Sequence, residues 1–591
     1  MSMPEESESG ASPVTLTDVE DPVADPAAGR GPGRLASGRR RWRWRLAWPA
    51  SLVAAAVGLD ICYLFVSNTY PVASDGASNA LQAWDMLHGN VLLSGWLLGH
   101  VSFYTTELPE YVIVEAIRGL NADVLHISAA ITYTLLVLLA ALLARGRTKG
   151  REGVLRALVA AGIMIAPQLG PGVFILVSQP DHVGTQVPLL VTWLVLDRAQ
   201  CLPGGTTPRV PPAKGLPRGT TPRVPPAKGL PGGTTPRVPP SRRWWVPVVV
   251  GLMLAWTEVA DGFALLVAAV PLGAVAIVRS YRALVQRREP LRSAWFDLSL
   301  IAAAVLSAVL TGLVVKLVGY SVLAVPTGLA TSAELPGHLW LLAEGVLGLF
   351  GADFLGLPLG LTAAIAFLHL IGLLLAAVAL WRVIKRFFPC DDLVDQVLAT
   401  SVVLTMVAYV MSTIPLTYYS ARYLAGVLVG GAVLAGRTLA RPMMKARLVP
   451  AMSLVLACYL AALGFSAAQN AVAADGQDLA DWLTAHHLSY GLTGYGLANT
   501  TTLASRGAVH LLPVAWTGPD VSPGPSGFKQ SWYDPQAHDA NFVVLLAAPG
   551  PLDEITGSQV AGTFGPPRHV YSYDGYVIAT YDINLLTNLS P

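Results

Sequence analysis

The residues of this chain that are able to do chemistry are charged or imidazole side chains in or beside long apolar runs. A carboxylate within hydrogen-bond reach of a hydroxyl can take its proton as a general base, and an arginine can hold a phosphate with paired hydrogen bonds. Because such groups are costly in an apolar setting, they tend to mark function. The candidates are Asp75, Glu107, Arg118, His182, Glu258, Asp261 and Arg422.

Asp75 opens the stretch SDGASNALQAWDMLHGN, in which Ala80, Trp84 and Leu87 recur at helical spacing. The pattern predicts that Asp75 lies at the start of a helix, with its carboxylate near the membrane surface. The spacing alone leaves two roles open for this carboxylate. It is either a helix N-cap, worth about 1 kcal/mol, or a reactive group.

Glu258 and Asp261 lie three residues apart in LAWTEVADGFALL, so on a continuous helix they share a face. Together they would bind a divalent cation, assist Asp75 or line a proton path. His182, in SQPDHVGTQ, is either a substrate contact or a solvated loop histidine. Arg422, in TYYSARYL, is either a phosphate ligand or a side chain that reaches the lipid headgroups.

The chain that must position these residues is too apolar for a soluble protein. Of its 591 residues, 53% are hydrophobic and only 13% are charged, whereas soluble domains carry about 25% charged residues. The net charge is only +2, and the arginines cluster between apolar runs, which argues against nucleic acid as a partner. The composition indicates a mainly α, polytopic membrane protein.

About eleven runs are long enough to cross the bilayer as helices. The basic segments between them fall on one side, which the positive-inside rule assigns to the cytoplasm. The runs that flank Gln179 and Asp261 remain open to interpretation as broken or re-entrant helices. The predicted spans are 46–66, 124–144, 154–176, 184–199, 244–260, 262–279, 294–318, 359–383, 394–413, 423–437 and 447–466.

The spans divide the chain into a disordered cytoplasmic N-terminus, 1–45, and a transmembrane domain, 46–466. Two extracytoplasmic loops, 67–123 and 319–358, are too long for turns and carry amphipathic helix patterns that would lie along the membrane surface. Residues 467–591 begin with the polar helix DLADWLTAHH and continue with short strand-like runs. This part predicts a small extracytoplasmic α/β domain.

Residues 201–243 repeat the unit LPGGTTPRVPPAKG with small changes. A segment so rich in proline and glycine predicts a flexible cytoplasmic loop. The sequence has no Walker A, GxGxxG, HExxH or nucleophile-elbow pattern, so nucleotide hydrolysis is not expected. Any chemistry is expected on the outer face, where the carboxylates and imidazoles gather.

The stretch after the first helix is similar to the first extracytoplasmic loop of GT-C glycosyltransferases that use polyprenyl-phosphate sugars, such as the aminoarabinose and protein mannosyltransferases. In that family an acidic residue precedes a helix that carries Ala, then Met, then Gly. Asp75, Ala80, Met86 and Gly89 follow this order. Gly76 stands where family members often have a second acidic residue.

A later family segment reads aromatic-Glu-Lys-Pro-Pro. Phe103, Tyr104, Glu107 and Pro109 are similar to it, and Leu108 replaces the lysine that would face the donor phosphate. The order of helices, surface helices and C-terminal domain also resembles GT-C enzymes over most of the chain. The resemblance therefore implies a GT-C-like membrane fold.

The resemblance also implies roles for the candidate residues. Asp75 would be the base that takes the acceptor proton, because the anomeric carbon becomes cationic as the acceptor attacks. The departing lipid phosphate needs a cation, for which Arg422 is the first candidate and Arg118 an alternative. Substrate contacts are assigned to Glu107, His182, Glu258 and Asp261.

The predicted function is transfer of a sugar from a polyprenyl-phosphate donor to a cell-envelope glycan, lipid or protein at the outer face of the plasma membrane. The chain is expected to be embedded in membrane lipids, with its N-terminus cytoplasmic and its C-terminal domain extracytoplasmic. No cofactor is assigned, and a divalent cation stays open. One alternative is a transporter or flippase of lipid-linked saccharides, although the expected internal repeats are not visible. The other is a catalytically inactive GT-C-like scaffold, which Gly76 and Leu108 would favour.

Overall fold

The computed structural model describes residues 33–165, 170–200, 244–324, 328–390, 392–472, 476–516, 520–548 and 555–589, with the backbone only for 33–49 and for Pro171. The predicted loop 201–243 lies outside these residues, as do residues 1–32 of the predicted disordered N-terminus. Residues 1–55 and 56–591 form two separate units. The candidate site lies wholly in the second unit.

Helix α1 (Gly33–Ser67) begins within the segment that the sequence analysis assigned to a disordered tail. That prediction is therefore wrong for residues 33–45, whose backbone is helical. The sequence there, GRLASGRRRWRWR, is dominated by arginine, which has a good helix propensity. The apolar run that follows simply continues this helix.

Eight helical segments of the described residues are long and apolar enough to cross a membrane, and each coincides with a predicted span. Together they confirm the predicted membrane protein of mainly helical fold. The segments are Ala50–Ser67, Asp123–Arg145 (α4), Leu265–Gln286, Leu291–Val315 (α10), Leu361–Lys385 (α12), Leu393–Met411 (α13), Tyr418–Lys445 and Val449–Ala467 (α15).

Two of these segments combine different kinds of helix. Leu265–Gln286 contains a π-helical turn followed by α9 (Val270–Tyr281), and Tyr418–Lys445 contains a 3₁₀ segment, Tyr418–Leu424, followed by α14 (Ala425–Lys445). Helix α14 lies at the centre of the bundle, where most of its residues are buried. Gly436 permits close packing there, because a Cβ atom would lie 2.4 Å from the carbonyl oxygen of Arg156.

The other three predicted spans coincide with helices too short for the same criterion. Span 154–176 corresponds to α5 (Gly150–Met164) and the short α6 (Pro171–Leu176), with residues 166–169 outside the described part. The other two are α7 (Gln186–Gln200) and α8 (Trp245–Ala260), of 15 and 16 residues. At 1.5 Å per residue such helices reach about 22–24 Å, less than the hydrocarbon thickness of about 30 Å.

Each of the two segments predicted as long loops, 67–123 and 319–358, contains helical structure and a short strand. The first carries α2 (Ser74–Leu87), strand β1 (Trp96–Leu98) and α3 (Glu107–Arg118). The second carries strand β2 (Ser321–Val322) and α11 (Leu335–Leu349). Strands β1 and β2 pair in parallel, so the two loops meet.

The C-terminal residues form the predicted small α/β domain, called the sheet domain below (476–589). Its six-stranded sheet has the order β5-β4-β3-β7-β9-β8, with β3 parallel to β4 and β7 and the remaining pairs antiparallel. Its elements are α16 (Gln477–Ala485), β3 (Tyr490–Thr493), α17 (Tyr495–Ala504), β4 (His510–Trp516), β5 (Val521–Pro523), β6 (Phe528–Lys529), β7 (Phe542–Leu546), α18 (Gly557–Phe564), β8 (His569–Tyr573) and β9 (Tyr576–Thr580).

The sheet domain docks directly on the first loop. Strand β6 pairs antiparallel with β1 and completes a small three-stranded sheet with β2. Lys529 forms an ion pair of 3.1 Å with Asp85, a carboxylate that also accepts a hydrogen bond of 2.7 Å from the Trp96 indole. Helix α17 packs against α2. The start of α2 therefore lies beneath the sheet domain.

Candidate active site

An open cavity of about 640 Å³, called the Asp75 cavity below, lies between the start of α2, the loop after β1, the loop before α7 and the sheet domain. Ten of its 15 lining residues have polar side chains, which distinguishes it from the apolar core of the helix bundle. The lining residues are Asp75, Ser78, Asn79, Gln82, Gly99, His100, Val101, Phe103, Asp181, His182, Leu323, Arg422, Tyr495, Pro525 and Ser526.

Asp75 lies in the first turn of α2, as predicted, but it does not cap the helix. The N-cap position is occupied by Ala73 in extended conformation, and no side chain caps this end. Oδ2 of Asp75 instead accepts a hydrogen bond of 2.9 Å from Arg422, and Oδ1 accepts one of 2.8 Å from the Tyr495 hydroxyl. The carboxylate is thus turned away from its own backbone and into the cavity.

Arg422 is positioned by the 3₁₀ segment that precedes α14. It approaches Asp75 through Nη1, while its buried Nε has no hydrogen-bond partner among the described residues. In this ion pair the side chain of Asp75 remains 40% exposed and that of Arg422 remains 23% exposed. Both groups are enclosed by protein yet accessible from the cavity.

The charge state of Asp75 follows from competing effects. Burial acts to raise the pKa of this carboxyl, but the Arg422 guanidinium and the hydrogen bonds from Arg422 and Tyr495 outweigh it. The resulting pKa lies below the ordinary value, so Asp75 is a carboxylate at neutral pH. A proton acceptor is thus present in the form that base catalysis requires.

A second layer of polar side chains lies beside this pair. Asp181 is 2% exposed; Asn79 donates to its Oδ1 over 3.0 Å, and its Oδ2 has no partner among the described residues. Burial, followed by the charge of Asp75, raises the pKa of Asp181 to about 7. A carboxyl whose pKa is raised to about 7 therefore lies close enough to Asp75 to be affected by its charge.

His182 lines the cavity and is oriented by Asp261, whose Oδ2 lies 2.9 Å from Nδ1 of the imidazole. His100, on the loop after β1, has its ring 5.9 Å from that of His182 and bonds to the Tyr423 hydroxyl through Nε2. Burial, with the charges of His182 and Arg422, lowers the pKa of His100 to about 4. His100 is accordingly neutral at physiological pH.

Glu107 lies behind the cavity and does not line it. Its side chain is fully buried, accepts a hydrogen bond from Thr106 and packs against Gly184, where a Cβ atom would come within 2.7 Å of its carboxyl. Burial, with a smaller contribution from Asp181, raises the pKa of Glu107 well above its ordinary range. Through its packing against Gly184, Glu107 supports the loop that carries Asp181.

Two of the predicted site residues lie elsewhere. Arg118, at the end of α3, forms an exposed ion pair of 3.2 Å with Asp123 and is not part of the cavity lining. Glu258 accepts hydrogen bonds from Ser307 and Thr311 of α10. Helix α8 ends at Ala260, and Asp261 is extended (φ −142°), so the predicted shared face of Glu258 and Asp261 does not form.

Packing explains both departures from the family pattern. A Cβ atom at position 76 would lie 2.6 Å from the Leu125 side chain and 2.7 Å from Oε1 of Gln179, so a second acidic residue there would require both side chains to move. Leu108 is fully buried in the apolar cluster around α2 and α3, where a charged lysine would be costly to desolvate. Neither change removes a group from the cavity.

The sequence analysis missed Asp181, His100, Asn79 and Tyr495 as site residues. Asp181 directly precedes His182 in the quoted stretch SQPDHVGTQ, so its neighbour was a usable signal. Tyr495 lies 420 positions from Asp75, so no local sequence pattern could predict their contact. Among the described residues no group of three or more His, Cys, Asp or Glu side chains is arranged to hold a metal ion.

Comparisons with known proteins agree with the predicted class at the level of the fold. No family model matches the sequence, and no curated protein matches it. Among solved structures, the chain is similar to ArnT from Cupriavidus metallidurans bound to undecaprenyl phosphate, with 12% identity and a TM-score of 0.51. The similarity covers 92% of this chain and 99% of ArnT.

A second similar structure is the apo oligosaccharyltransferase of Archaeoglobus fulgidus, with 14% identity, a TM-score of 0.46 and coverage of 85% of this chain and 70% of that one. ArnT and this oligosaccharyltransferase are GT-C-type membrane glycosyltransferases. The GT-C-like fold expected from the residues around Asp75 is therefore confirmed on the similarity to ArnT.

Proposed function

We propose that this protein is a membrane glycosyltransferase that moves a sugar from a polyprenyl-phosphate donor to a hydroxyl of a cell-envelope acceptor at the outer face. The observation that carries the proposal is the contact between Asp75 and Arg422 in an open polar cavity. One side chain of the pair accepts protons and the other binds phosphate. Transfer of a sugar from a lipid phosphate requires these two functions side by side.

In the proposed reaction the acceptor oxygen attacks the anomeric carbon while the bond from that carbon to the phosphate oxygen breaks. The acceptor proton passes to the Asp75 carboxylate, and the electron pair of the broken bond leaves with the polyprenyl phosphate. Asp75 is ionised before the reaction because Arg422 and Tyr495 lower its pKa. General-base catalysis of this kind contributes about 10²- to 10⁴-fold.

Arg422 would bind the phosphate of the donor and stabilise the leaving group. Its Nη1 holds Asp75, and 23% of its side chain stays exposed where it lines the cavity, so a phosphate can reach the guanidinium. Because the guanidinium is a planar fork, it can contact a carboxylate and a phosphate at the same time. Undecaprenyl phosphate bound to ArnT, which has a similar fold, supports a lipid phosphate as donor group.

The remaining lining residues would hold the sugars. His182, oriented by Asp261, and Asp181, with its unpaired Oδ2, offer hydrogen bonds to hydroxyl groups. Glu107 would act from behind by supporting the loop of Asp181. No step in this scheme is assigned to Arg118 or Glu258.

The experiment is transfer from a set of radiolabelled polyprenyl-phosphate sugars into envelope fractions, using membranes that contain wild-type protein, Asp75→Asn or no protein. We expect Asp75→Asn to lower transfer at least about 100-fold. The matched control is Asp478→Asn, because Asp478 also lies in the first turn of a helix, α16, but on the exposed surface.

Two results would contradict the proposal. Transfer that is equal with and without the protein would favour a transporter of lipid-linked saccharides or an inactive scaffold. Transfer that depends on the protein but survives Asp75→Asn would show that Asp75 is not the base.

A further inference from the structure

The sheet domain contributes the side chain of Tyr495 to the lining of the Asp75 cavity, next to Asp75. Tyr495, the first residue of α17, donates its hydroxyl to Oδ1 of Asp75 over 2.8 Å. In the opposite direction, the Ser74 hydroxyl donates to the backbone carbonyl of Tyr495 over 2.5 Å. Residues 74 and 75 are thus joined to residue 495 by two hydrogen bonds of opposite direction.

We propose that Tyr495 is a positioning residue for Asp75 and that the sheet domain is consequently part of the active site. The inference rests on the proposed function, in which Asp75 is the base. Arg422 holds one carboxylate oxygen and Tyr495 holds the other, which fixes the plane of the carboxylate. When Arg422 also binds a donor phosphate, Tyr495 keeps Asp75 aimed at the acceptor.

The Tyr495 ring is held in position by close packing against the backbone of Gly527. Gly527 has a positive φ of 78°, and a Cβ atom on it would lie 2.8 Å from Cε2 of the Tyr495 ring. Only glycine lets the chain pass over the ring in this conformation. Pro525 and Ser526, which precede it, line the cavity themselves.

The same chain segment carries the docking contacts. Two residues after Gly527, Lys529 pairs with Asp85 of α2 over 3.1 Å, and β6 is hydrogen-bonded to β1. Asp85 and Asp75 lie on the same helix, α2. Docking of the sheet domain on the end of α2 therefore sets the Tyr495 hydroxyl over the start of α2.

The groups that face Asp75 come from four parts of the chain. They are Arg422 before α14, Tyr495 at the start of α17, His100 after β1 and Asp181 before α7. A donor that hydrogen-bonds a carboxylate lowers its pKa, so loss of the Tyr495 hydroxyl raises the pKa of Asp75. Asp75 is then protonated at a higher pH, and activity is lost earlier as the pH falls.

The test is Tyr495→Phe, which removes the hydroxyl and keeps the ring. We expect kcat to fall about tenfold, in line with the loss of one hydrogen bond to a charged group. We also expect the acid limb of the pH profile, where kcat/KM falls as the pH is lowered, to move to higher pH. Profiles recorded from about pH 3 to 8 cover the ordinary carboxyl range. KM for the donor should stay unchanged, because the phosphate is assigned to Arg422.

The matched control is Tyr490→Phe in the same domain. The Tyr490 hydroxyl donates to the carbonyl of Trp532 over 2.7 Å, so this variant also loses one tyrosine hydrogen bond. Its acid limb should coincide with that of wild type. Titration of Asp181 and His100 is common to all variants and cancels in the comparison.

A second variant covers the case in which Tyr495→Phe does not fold. Lys529→Met removes the docking ion pair with Asp85 and leaves the cavity lining unchanged, so it should shift the acid limb in the same direction by a smaller amount. An acid limb that stays at the wild-type pH in a folded Tyr495→Phe or Lys529→Met protein would overturn the inference. Such a result, with Asp75→Asn inactive, would leave the proposed function intact, whereas an active Asp75→Asn would overturn the proposed function itself.

Discussion

Two arginines of the same helical segment, Tyr418–Lys445, pair with aspartates at its opposite ends. Arg422 meets Asp75 before α14 begins, and Arg437 lies two turns before the end of α14 among Asp197, Asp392 and Asp395. Both sites join parts of the chain that are far apart in sequence. They differ in the exposed fraction of the arginine side chain and in how many guanidinium nitrogens have hydrogen-bond partners.

The Arg437 cluster is closed. The side chain is 5% exposed, and its three nitrogens are all engaged: Nε with Asp395, Nη2 with Asp392, and Nη1 with Asp197 and the carbonyl of Leu143. These contacts connect α4, α7, the start of α13 and α14. Each nitrogen of this guanidinium is engaged by protein groups, which stabilises one arrangement of helices and leaves no nitrogen without a partner. Among the carboxylates, only Oδ2 of Asp197 is buried without a partner among the described residues.

The Arg422 site is open. It uses one nitrogen for Asp75, leaves Nε without a partner among the described residues, and faces a cavity in which Asp181 also has an unpaired oxygen. Unsatisfied buried polar atoms are rare in proteins and require an explanation. Residue type therefore does not distinguish the two arginine sites, whereas the exposure of the guanidinium and its spare hydrogen-bonding capacity do.

The largest effect is expected for Arg437→Met, which would remove the guanidinium from Asp197 and Asp395, whose side chains are only 9% and 15% exposed. Loss of one partner from a buried ion pair costs about 3–5 kcal/mol, so we expect a sharp drop in folded, monodisperse protein and in melting temperature. The control is Arg441→Met, one turn later on α14 and exposed. A normal melting temperature for Arg437→Met would show that the Arg437 cluster does not stabilise the helix bundle.

The next effect is expected for Arg422→Lys, which keeps the charge and loses the fork. One ammonium cannot reproduce paired contacts to Asp75 and a phosphate, and a hydrogen bond to a charged group is worth about 1.5–3 kcal/mol. We therefore expect kcat/KM for the donor to fall about 10- to 100-fold, with a melting temperature close to that of wild type.

The two arginine variants should affect different measurements. For Arg422→Lys, activity per folded molecule should fall, and for Arg437→Met the amount of folded protein should fall. An Arg422→Lys protein with wild-type kcat/KM would remove the phosphate-binding role from the proposal.

Much of the fold could be predicted from the sequence, because the length and apolar character of a run determine whether it spans a bilayer. All eight long membrane segments coincide with predicted spans. Local sequence was a poorer guide to side-chain contacts at the helix ends. The predicted spans 244–260 and 262–279 leave Asp261 between two helices, as the structure does, but they do not reveal that its carboxylate pairs with His182 and not with the face of Glu258.

The candidate site could be predicted only in its separate parts. Asp75 and Arg422 were chosen for their residue types, but their contact joins positions 347 residues apart, which no local pattern reveals. Residues 437–447 are one of the basic segments between the apolar runs, all of which the positive-inside rule predicts on the cytoplasmic side. The structure buries Arg437 and leaves Arg447 exposed, because only tertiary packing brings the three aspartates to Arg437.

The smallest effect is expected for Arg118→Gln, the alternative phosphate ligand. The side chains of Arg118 and Asp123 are 54% and 60% exposed in their ion pair, and such surface pairs contribute about 0–1 kcal/mol. Transfer and melting temperature should therefore stay within about twofold and a few degrees of wild type. A large loss of transfer in a folded Arg118→Gln protein would mean that the donor phosphate reaches beyond the Asp75 cavity. Arg118, an exposed arginine that is already paired with Asp123, would then act in the reaction. Exposure and spare hydrogen-bonding capacity would no longer be enough to distinguish Arg422 from the other arginines.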